Sequence, residues 1–311
     1  MKLLAPGADA RAEAPPHYLT LWGDAGSGNG QFINPVGIAT SSAHVYVTDF
    51  ANDRIQMFTA DGEYLSEWGS SGTNPGQFLS PFAITVDVGV SVYATDQDRV
   101  QKFTFDGEFV LEWGSRGGGA GQFRDHWGIA AHADTVYVAD TGNDRVQKFT
   151  DFGLYVDEWG VEGVGPGEFT NPRGVAVDPW GDVFVLDAGL VPRVQKFTSD
   201  GTFLAVWGGF GVRDGQFLSP WGIACDQDGN VYVTDDHRIQ KFSGTGQFLT
   251  AWGAAGSAPG QFDDLHGISV APNGNVYVAD TDNDRIQLFG YFPVSLDVSS
   301  WGGIKARYRV R

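Results

Sequence analysis

The sequence predicts an all-β fold built from six copies of one four-stranded unit. Three motifs support this fold class, because each recurs six times at corresponding places along the 311 residues. The motifs are Gly-Gln/Glu-Phe, Arg-(Ile/Val)-Gln and Trp-Gly. Successive phenylalanines of the first motif are 45 to 48 residues apart; they are Phe32, Phe78, Phe123, Phe169, Phe217 and Phe262. A regular period in this range, with strand-like units, is typical of a propeller or an array.

The last complete repeat, residues 260–290, shows how one unit is organised. Residues 265–270 are apolar and end at a Pro-Asn-Gly turn, residues 275–279 are β-branched and aromatic, and residues 285–289 follow an aspartate-rich turn. Strands bounded by such turns favour an antiparallel meander. In the innermost strands we expect glycine and alanine at the crowded axis. Isoleucine or valine on the other face would form the core between units, at Ile38, Ile84, Ile129, Val175, Ile223 and Ile268.

The residue pattern of the repeat resembles that of a known family. Pro-x-Gly-Ile-Ala is followed by Val-Tyr-Val-x-Asp, then by Asn-Asp-Arg-(Ile/Val)-Gln-x-Phe and Gly-x-Phe-Leu-x-x-Trp-Gly. This pattern resembles the NHL repeat over residues 18–290, and the sequence has no Trp-Asp pair of the kind found in WD propellers. The resemblance implies a six-bladed β-propeller. It informs about fold far more than about activity.

The two ends of the repeat region predict how the ring closes. Residues 18–23 match the last strand of a repeat, but the position ten residues after Phe289 is Ser299 instead of tryptophan. We therefore expect the N-terminal strand to complete blade six, which removes exposed sheet edges. The predicted organisation is a disordered lead-in (1–17), the propeller (18–290) and a basic C-terminal tail (291–311).

Composition limits the partners. The net charge is −18, with 20 basic and 38 acidic residues, so nucleic acid is not an expected partner.

No apolar run is long enough to span a membrane, and no signal-peptide core is visible. Cytoplasmic localisation is the default and export the alternative. The single cysteine, Cys225, excludes an intrachain disulfide. We expect a monomer that binds a protein, a peptide or a glycan.

The asymmetric positions of the repeat indicate where that ligand binds. Each blade has an Asp/Arg pair, and six copies of one pair favour a structural role. By contrast, the residue before the inner-strand Gly or Ala varies between blades, and only tryptophan occurs twice; these residues are Val36, Phe82, Trp127, Arg173, Trp221 and His266. We predict that they surround the channel mouth. The candidate ligand-binding residues are Phe82, Trp127, Arg173, Trp221, His266 and the nearby Asp125. Aromatic rings that simply plug the channel are the structural alternative.

Two further hypotheses concern metals and the shape of this face. His126 and His266, with Asp264 or Asp125, are weak candidates for a zinc site, since some NHL-like lyases hold zinc with histidines in this region. Residues 226–230 faintly resemble a calcium loop, but the full spacing is absent. The expected function is non-catalytic binding without a cofactor; the alternative is a metal-dependent lyase or hydrolase at the channel mouth. Short turns in blades two and five, which lie opposite each other, predict a shallow trough.

Overall fold

The protein folds into six four-stranded antiparallel sheets, as seen in a computed structural model that describes residues 13–87 and 91–291 of the chain. Each sheet contains consecutive strands, except the last, in which the first strand of the chain joins the final three. The predicted six-bladed β-propeller is therefore confirmed. None of the helices in this described part has the length and apolar character needed to cross a bilayer.

The strands follow the predicted repeat closely. The strand that precedes blade one is β1 (His17–Trp22). Blades one to three consist of β2 (Pro35–Thr40), β3 (His44–Asp49), β4 (Arg54–Thr59), β5 (Tyr64–Trp68), β6 (Ile84–Val86), β7 (Ser91–Asp96), β8 (Arg99–Thr104), β9 (Phe109–Trp113), β10 (His126–His132), β11 (Thr135–Asp140), β12 (Arg145–Thr150) and β13 (Tyr155–Trp159). Blades four to six contain β14 (Pro172–Val177), β15 (Val183–Asp187), β16 (Arg193–Phe197), β17 (Phe203–Gly208), β18 (Pro220–Cys225), β19 (Val231–Asp235), β20 (Arg238–Phe242), β21 (Phe248–Trp252), β22 (Leu265–Val270), β23 (Val276–Asp280) and β24 (Arg285–Gly290). Short 3-10 turns span Phe50–Asn52, Thr141–Asn143 and Thr281–Asn283.

Ring closure occurs as the sequence predicts. Strand β1 pairs antiparallel with β24, so that Tyr18 lies opposite Phe289 and Trp22 opposite Ile286. The predicted lead-in and tail fall mostly on residues 1–12 and 292–311, outside the described residues. Residues 13–17 of the lead-in are described: Lys241 Nζ lies 2.8 Å from Glu13 Oε1, and His17 already belongs to β1.

The recurring motifs form one polar unit in every blade, called here the clamp. In blade three, Asp140 accepts hydrogen bonds from Arg145 Nε at 2.8 Å and Gln147 Nε2 at 3.0 Å. Arg145 also contacts Glu158 at 2.7 Å and donates to two loop carbonyl groups. The structural interpretation of the Asp/Arg pairs is confirmed, since every blade has the ion pair; the pairs are Asp49 with Arg54, Asp96 with Arg99, Asp140 with Arg145, Asp187 with Arg193, Asp235 with Arg238 and Asp280 with Arg285.

The inner strands pack as expected and in addition line the channel. A Cβ atom on Gly222 would lie 2.3 Å from the carbonyl oxygen of His266 in the next blade, so this glycine lets neighbouring inner strands approach. The aliphatic residues predicted for the inter-blade core each belong to a hydrophobic core cluster, as expected, and they also line the channel. They are Ile38, Ile84, Ile129, Val175, Ile223 and Ile268, which border a cavity at each end of it. The channel is therefore narrowed by an aliphatic ring at mid-height.

Candidate functional site at the channel mouth

The six asymmetric residues come together at one end of the channel. Each occupies the corresponding position at the start of its blade's innermost segment, and all six line a single cavity of about 80 Å³; they are Val36, Phe82, Trp127, Arg173, Trp221 and His266. Val36 is almost fully buried, whereas the other five side chains are partly exposed. Five partly exposed side chains of four residue types thus form the accessible floor of this cavity.

The aromatic rings of the floor pack against one another. Phe82 stacks on Trp127 with ring centroids 5.5 Å apart, and Trp127 stacks on Trp221 at 5.4 Å. His266 packs edge-on against Trp221 at 4.2 Å. Blades two, three, five and six therefore meet across the axis through side chains. These side chains contact one another across the channel mouth, and each ring remains partly exposed.

Arg173 lies over the tryptophan rings of this floor. Its guanidinium carbon lies 3.8 Å from the ring centroid of Trp221 and 5.3 Å from that of Trp127. Nη1 donates a long hydrogen bond of 3.4 Å to the carbonyl oxygen of Pro220, and the buried Nε has no hydrogen-bond partner. Within the described residues, no carboxylate forms an ion pair with Arg173. Burial lowers the pKa of Arg173, and the more distant charge of Asp264 opposes that change.

His266 is the titratable base of the mouth. Burial lowers the pKa of His266 to about 4, so the imidazole is neutral at pH 7. Its Nε2 lies 3.5 Å from Asp264 Oδ2, but neither ring nitrogen has a hydrogen-bond partner. Burial and the like charge of Asp263 raise the pKa of Asp264. The blade-six side of the mouth is therefore acidic, whereas the blade-four side carries the cation.

The remaining predicted residues lie away from the floor. Asp125 is exposed with a left-handed φ of 51°, and it does not line the cavity. His126 takes the position that proline holds in four other blades, and it is buried. Its ring stacks on Phe123 at 4.6 Å, and its Nε2 lies 2.8 Å from the carbonyl oxygen of Arg99. His126 therefore contributes to packing in blade three and does not border the mouth.

This geometry does not fit the two metal sites considered from sequence. A catalytic zinc usually has three protein ligands, but only His266 and Asp264 are close together and His126 lies elsewhere. Across residues 13–87 and 91–291, no three His, Cys, Asp or Glu side chains are grouped so as to hold a metal ion. In the calcium-like segment, the carboxylate of Asp226 accepts hydrogen bonds from Asp228, Asn230 and Tyr232. That carboxylate caps its own turn.

Two of the cavities that sequence reasoning missed lie away from the mouth. One of about 150 Å³ lies at the opposite end of the channel, where Thr40, Thr85, Ser269 and Cys225 are among the lining residues. The other, of about 230 Å³, lies at the blade-five turn, Asp235 to Arg238. The short turn of blade five was visible in the sequence, but the apolar residues beside it were not connected with it.

Comparison with known proteins supports the fold. The NHL repeat family model matches residues 262–289. A gluconolactonase from Xanthomonas campestris is 13% identical with a TM-score of 0.63, covering 92% of this chain and 99% of its own. A streptogramin B lyase is 15% identical with a TM-score of 0.60, covering 87% and 97%. The WD40 β-propeller domain of Doa1 is 10% identical with a TM-score of 0.57, covering 91% and 98%. No curated protein has a significantly similar sequence.

Proposed function

Because this chain is an NHL-repeat six-bladed β-propeller, we propose that it binds a carboxylate-bearing ligand at the channel mouth without transforming it. The observation that carries the proposal is Arg173, a partly buried guanidinium that stacks on Trp221 and has no carboxylate partner among the described residues. Each clamp arginine, by contrast, has an aspartate within 3.2 Å. The ligand supplies the acidic group that Arg173 lacks, and the guanidinium binds it in bidentate fashion.

The position of Arg173 also favours an anion over a cation. Cationic ligands bind the faces of aromatic rings, but Arg173 already covers Trp221 and lies near the face of Trp127. A second cation would meet the charge of Arg173. Because the whole protein carries −18, a polyanion would be repelled. A single carboxylate on an otherwise neutral or basic protein, peptide or glycan fits both conditions.

Cavity size limits how much of the ligand enters. The mouth holds about 80 Å³, well below the roughly 300–1,000 Å³ of pockets that enclose drug-sized molecules. A terminal group enters the cavity, and the rest of the ligand lies on the face of the propeller. Partly exposed tryptophan and arginine side chains are typical anchors of such contacts.

Variants of the floor test this proposal with carboxylate-bearing peptides and uronic-acid glycans on arrays. Arg173→Met should weaken the best binder at least tenfold with little change in melting temperature. Trp221→Ala should weaken it as well. The matched control is Trp180→Ala, which removes a tryptophan that is 71% exposed outside the mouth. Retained affinity in Arg173→Met would reject the proposal. Strongly lowered melting of Trp221→Ala with unchanged binding would instead support a channel plug.

His266 favours a second candidate, a lyase or hydrolase at the same mouth. A neutral imidazole with both nitrogens unpartnered has the form of a general base. Two of the similar folds are a gluconolactonase and a streptogramin B lyase, although identities of 13% and 15% support the fold alone. Incubation with gluconolactone and a streptogramin B, followed by product analysis, tests it. Turnover that is lost in His266→Gln would establish the enzyme, and no turnover would reject it for these substrates.

A further inference from the structure

A short turn opens the rim of the propeller at blade five. Only Asp236 and His237 connect β19 to β20. In three other blades a longer 3-10 turn ends in an asparagine whose Nδ2 donates to a loop carbonyl group; these pairs are Asn52 with Gly26, Asn143 with Gly117 and Asn283 with Gly256. Blade five lacks that bridging side chain. The turn therefore leaves space between the two loops that flank it.

The space is a cavity of about 230 Å³, called here the blade-five notch, and Val212, Leu218, Asp236, His237, Arg238 and Ala254 are among its lining residues. Val212 is 68% exposed and Leu218 is 37% exposed. Phe210, two residues before Val212, is also 68% exposed. An apolar wall thus faces solvent next to a cavity. Burial of such side chains against a partner removes apolar surface from water and favours binding.

Blade two provides an internal comparison. Its turn is equally short, since only Gln97 and Asp98 connect β7 to β8. The corresponding loop carries Ser71 and Thr73 where blade five carries Phe210 and Val212. A short turn by itself therefore does not require apolar neighbours. The apolar pair is specific to blade five, and the sequence of blade two shows that the propeller accommodates polar residues there.

Arg238, which lines the notch, is paired with Asp235 at 3.2 Å, so the other acidic groups beside the notch indicate what kind of partner fits. The Asp236 side chain is 45% exposed, and the carbonyl oxygen of Asp236 accepts a 3.5 Å hydrogen bond from the backbone of Leu265 at the start of β22. This contact places the notch beside the acidic side of the mouth. The pKa of Asp264 is raised by burial and, to a lesser extent, by the charges of Asp263 and Asp236. Cationic groups on a partner would relieve this repulsion.

We propose that the blade-five notch docks a basic segment of a partner protein, with an apolar side chain of that segment inserted between Val212 and Leu218. Lysine or arginine residues flanking the inserted side chain contact Asp236 and the neighbouring aspartates. This docking surface goes beyond the proposed function, because it does not involve Arg173 or a carboxylate. It resembles recognition modes in which apolar anchors determine affinity and charges determine partner choice.

Fluorescence anisotropy with labelled nonapeptides tests the proposal. One set alternates leucine or phenylalanine with lysine and arginine; matched sets replace the basic residues by glutamine or by glutamate. All peptides have amidated C-termini and lack a carboxylate for Arg173, except for the glutamate set. We expect the basic set to bind best, with an affinity that falls as salt increases.

The decisive variant is Phe210→Ser with Val212→Thr, which introduces the residues of blade two. We expect at least a tenfold loss of affinity for the basic peptides. Asp236→Asn, which suits the left-handed φ of 59° at this position, should weaken binding severalfold and reduce its salt dependence. The control is Val161→Thr with Val164→Thr in blade four, which removes a similarly exposed apolar pair and should bind normally.

Three outcomes would overturn the proposal. The basic peptides bind no better than the glutamine set, or the blade-two residues leave affinity unchanged, or Arg173→Met weakens the basic peptides as much as the loop variant does. The last result would place these peptides at the mouth. Conversely, loss of carboxylate binding in Arg173→Met with normal binding of the amidated peptides would support the two sites independently.

Discussion

Two arginines of the same propeller, Arg145 in the blade-three clamp and Arg173 at the mouth, occupy opposite electrostatic environments. Arg145 has Asp140 at 2.8 Å and Glu158 at 2.7 Å. Arg173 has tryptophan faces and one long hydrogen bond to a carbonyl group. The clamp recurs in all six blades, whereas the residue at the mouth varies from blade to blade and only tryptophan occurs twice. The repeated strands and clamps, called here the frame, hold the propeller together. A ligand site is expected where the residues vary between blades.

The largest expected effect comes from breaking the frame at its closure. Deleting residues 1–23 removes β1, which pairs along β24, and Trp22, which packs on Phe58 and Tyr277. We expect a loss of more than about 3 kcal/mol, because the paired strand and the packing of the partly buried Trp22 are lost together, and aggregation through the exposed edge. Thermal melting and light scattering measure both. Deleting residues 1–12 is the control and should melt like the full chain; a monomeric, equally stable 1–23 deletion would contradict the closure.

The next effect comes from breaking one clamp. Arg145→Met leaves Asp140, which is fully buried, without its cation. Breaking a buried pair in this way costs about 3–5 kcal/mol, measured by urea denaturation. Asp140→Asn in the Arg145→Met background should recover part of the loss, because the uncompensated charge is gone. If Arg145→Met loses less than about 1 kcal/mol, a value typical of exposed ion pairs, the clamp does not stabilise the frame.

A smaller effect on stability is expected at His126, which takes the position that proline holds in four other blades. Burial lowers the pKa of His126, and its Nδ1 has no hydrogen-bond partner. Below the ordinary pKa of about 6.5, the unfolded chain binds a proton that the folded chain does not, so stability falls with decreasing pH. His126→Leu, the residue of blade six at this position, should lose less stability between pH 7.5 and 5.0 in urea denaturation. Equal losses in both proteins would show that another group governs acid sensitivity.

The sequence predicted the frame well because the frame is periodic. Phe123, Asp140, Arg145 and Gln147 each have five counterparts at corresponding positions of the other repeats, so their roles followed from repetition. The missing tryptophan at Ser299 even predicted how the ring closes. Periodicity also identified the mouth, since it showed which positions vary. It did not predict what those positions do together.

The sequence could not predict the side-chain contacts between different blades that form the candidate site. Adjacent residues on a strand point to opposite sides, so His126 lies against Phe123 whereas Trp127 enters the channel. The stacking of Arg173 on Trp221 joins blades four and five, which are separated by 48 residues in sequence, and no spacing rule indicates it. The blade-five notch likewise depends on two loops and a turn at once. Such contacts between different blades decide the chemistry of the site.

The smallest expected effect on stability is that of Arg173→Met. Its comparison with Arg145→Met distinguishes the mouth from the clamp. Arg173 is partly buried without a carboxylate partner among the described residues, and burial lowers its pKa, so its charge does not stabilise the fold. Methionine keeps apolar contact with Trp127 and Trp221 and removes the charge. We expect the free energy of unfolding to change by less than about 1 kcal/mol, in either direction, when Arg173→Met and Arg145→Met are compared by urea denaturation under the same conditions. A loss as large as that of Arg145→Met would mean that Arg173 belongs to the frame, and the mouth would then need another residue to bind the carboxylate.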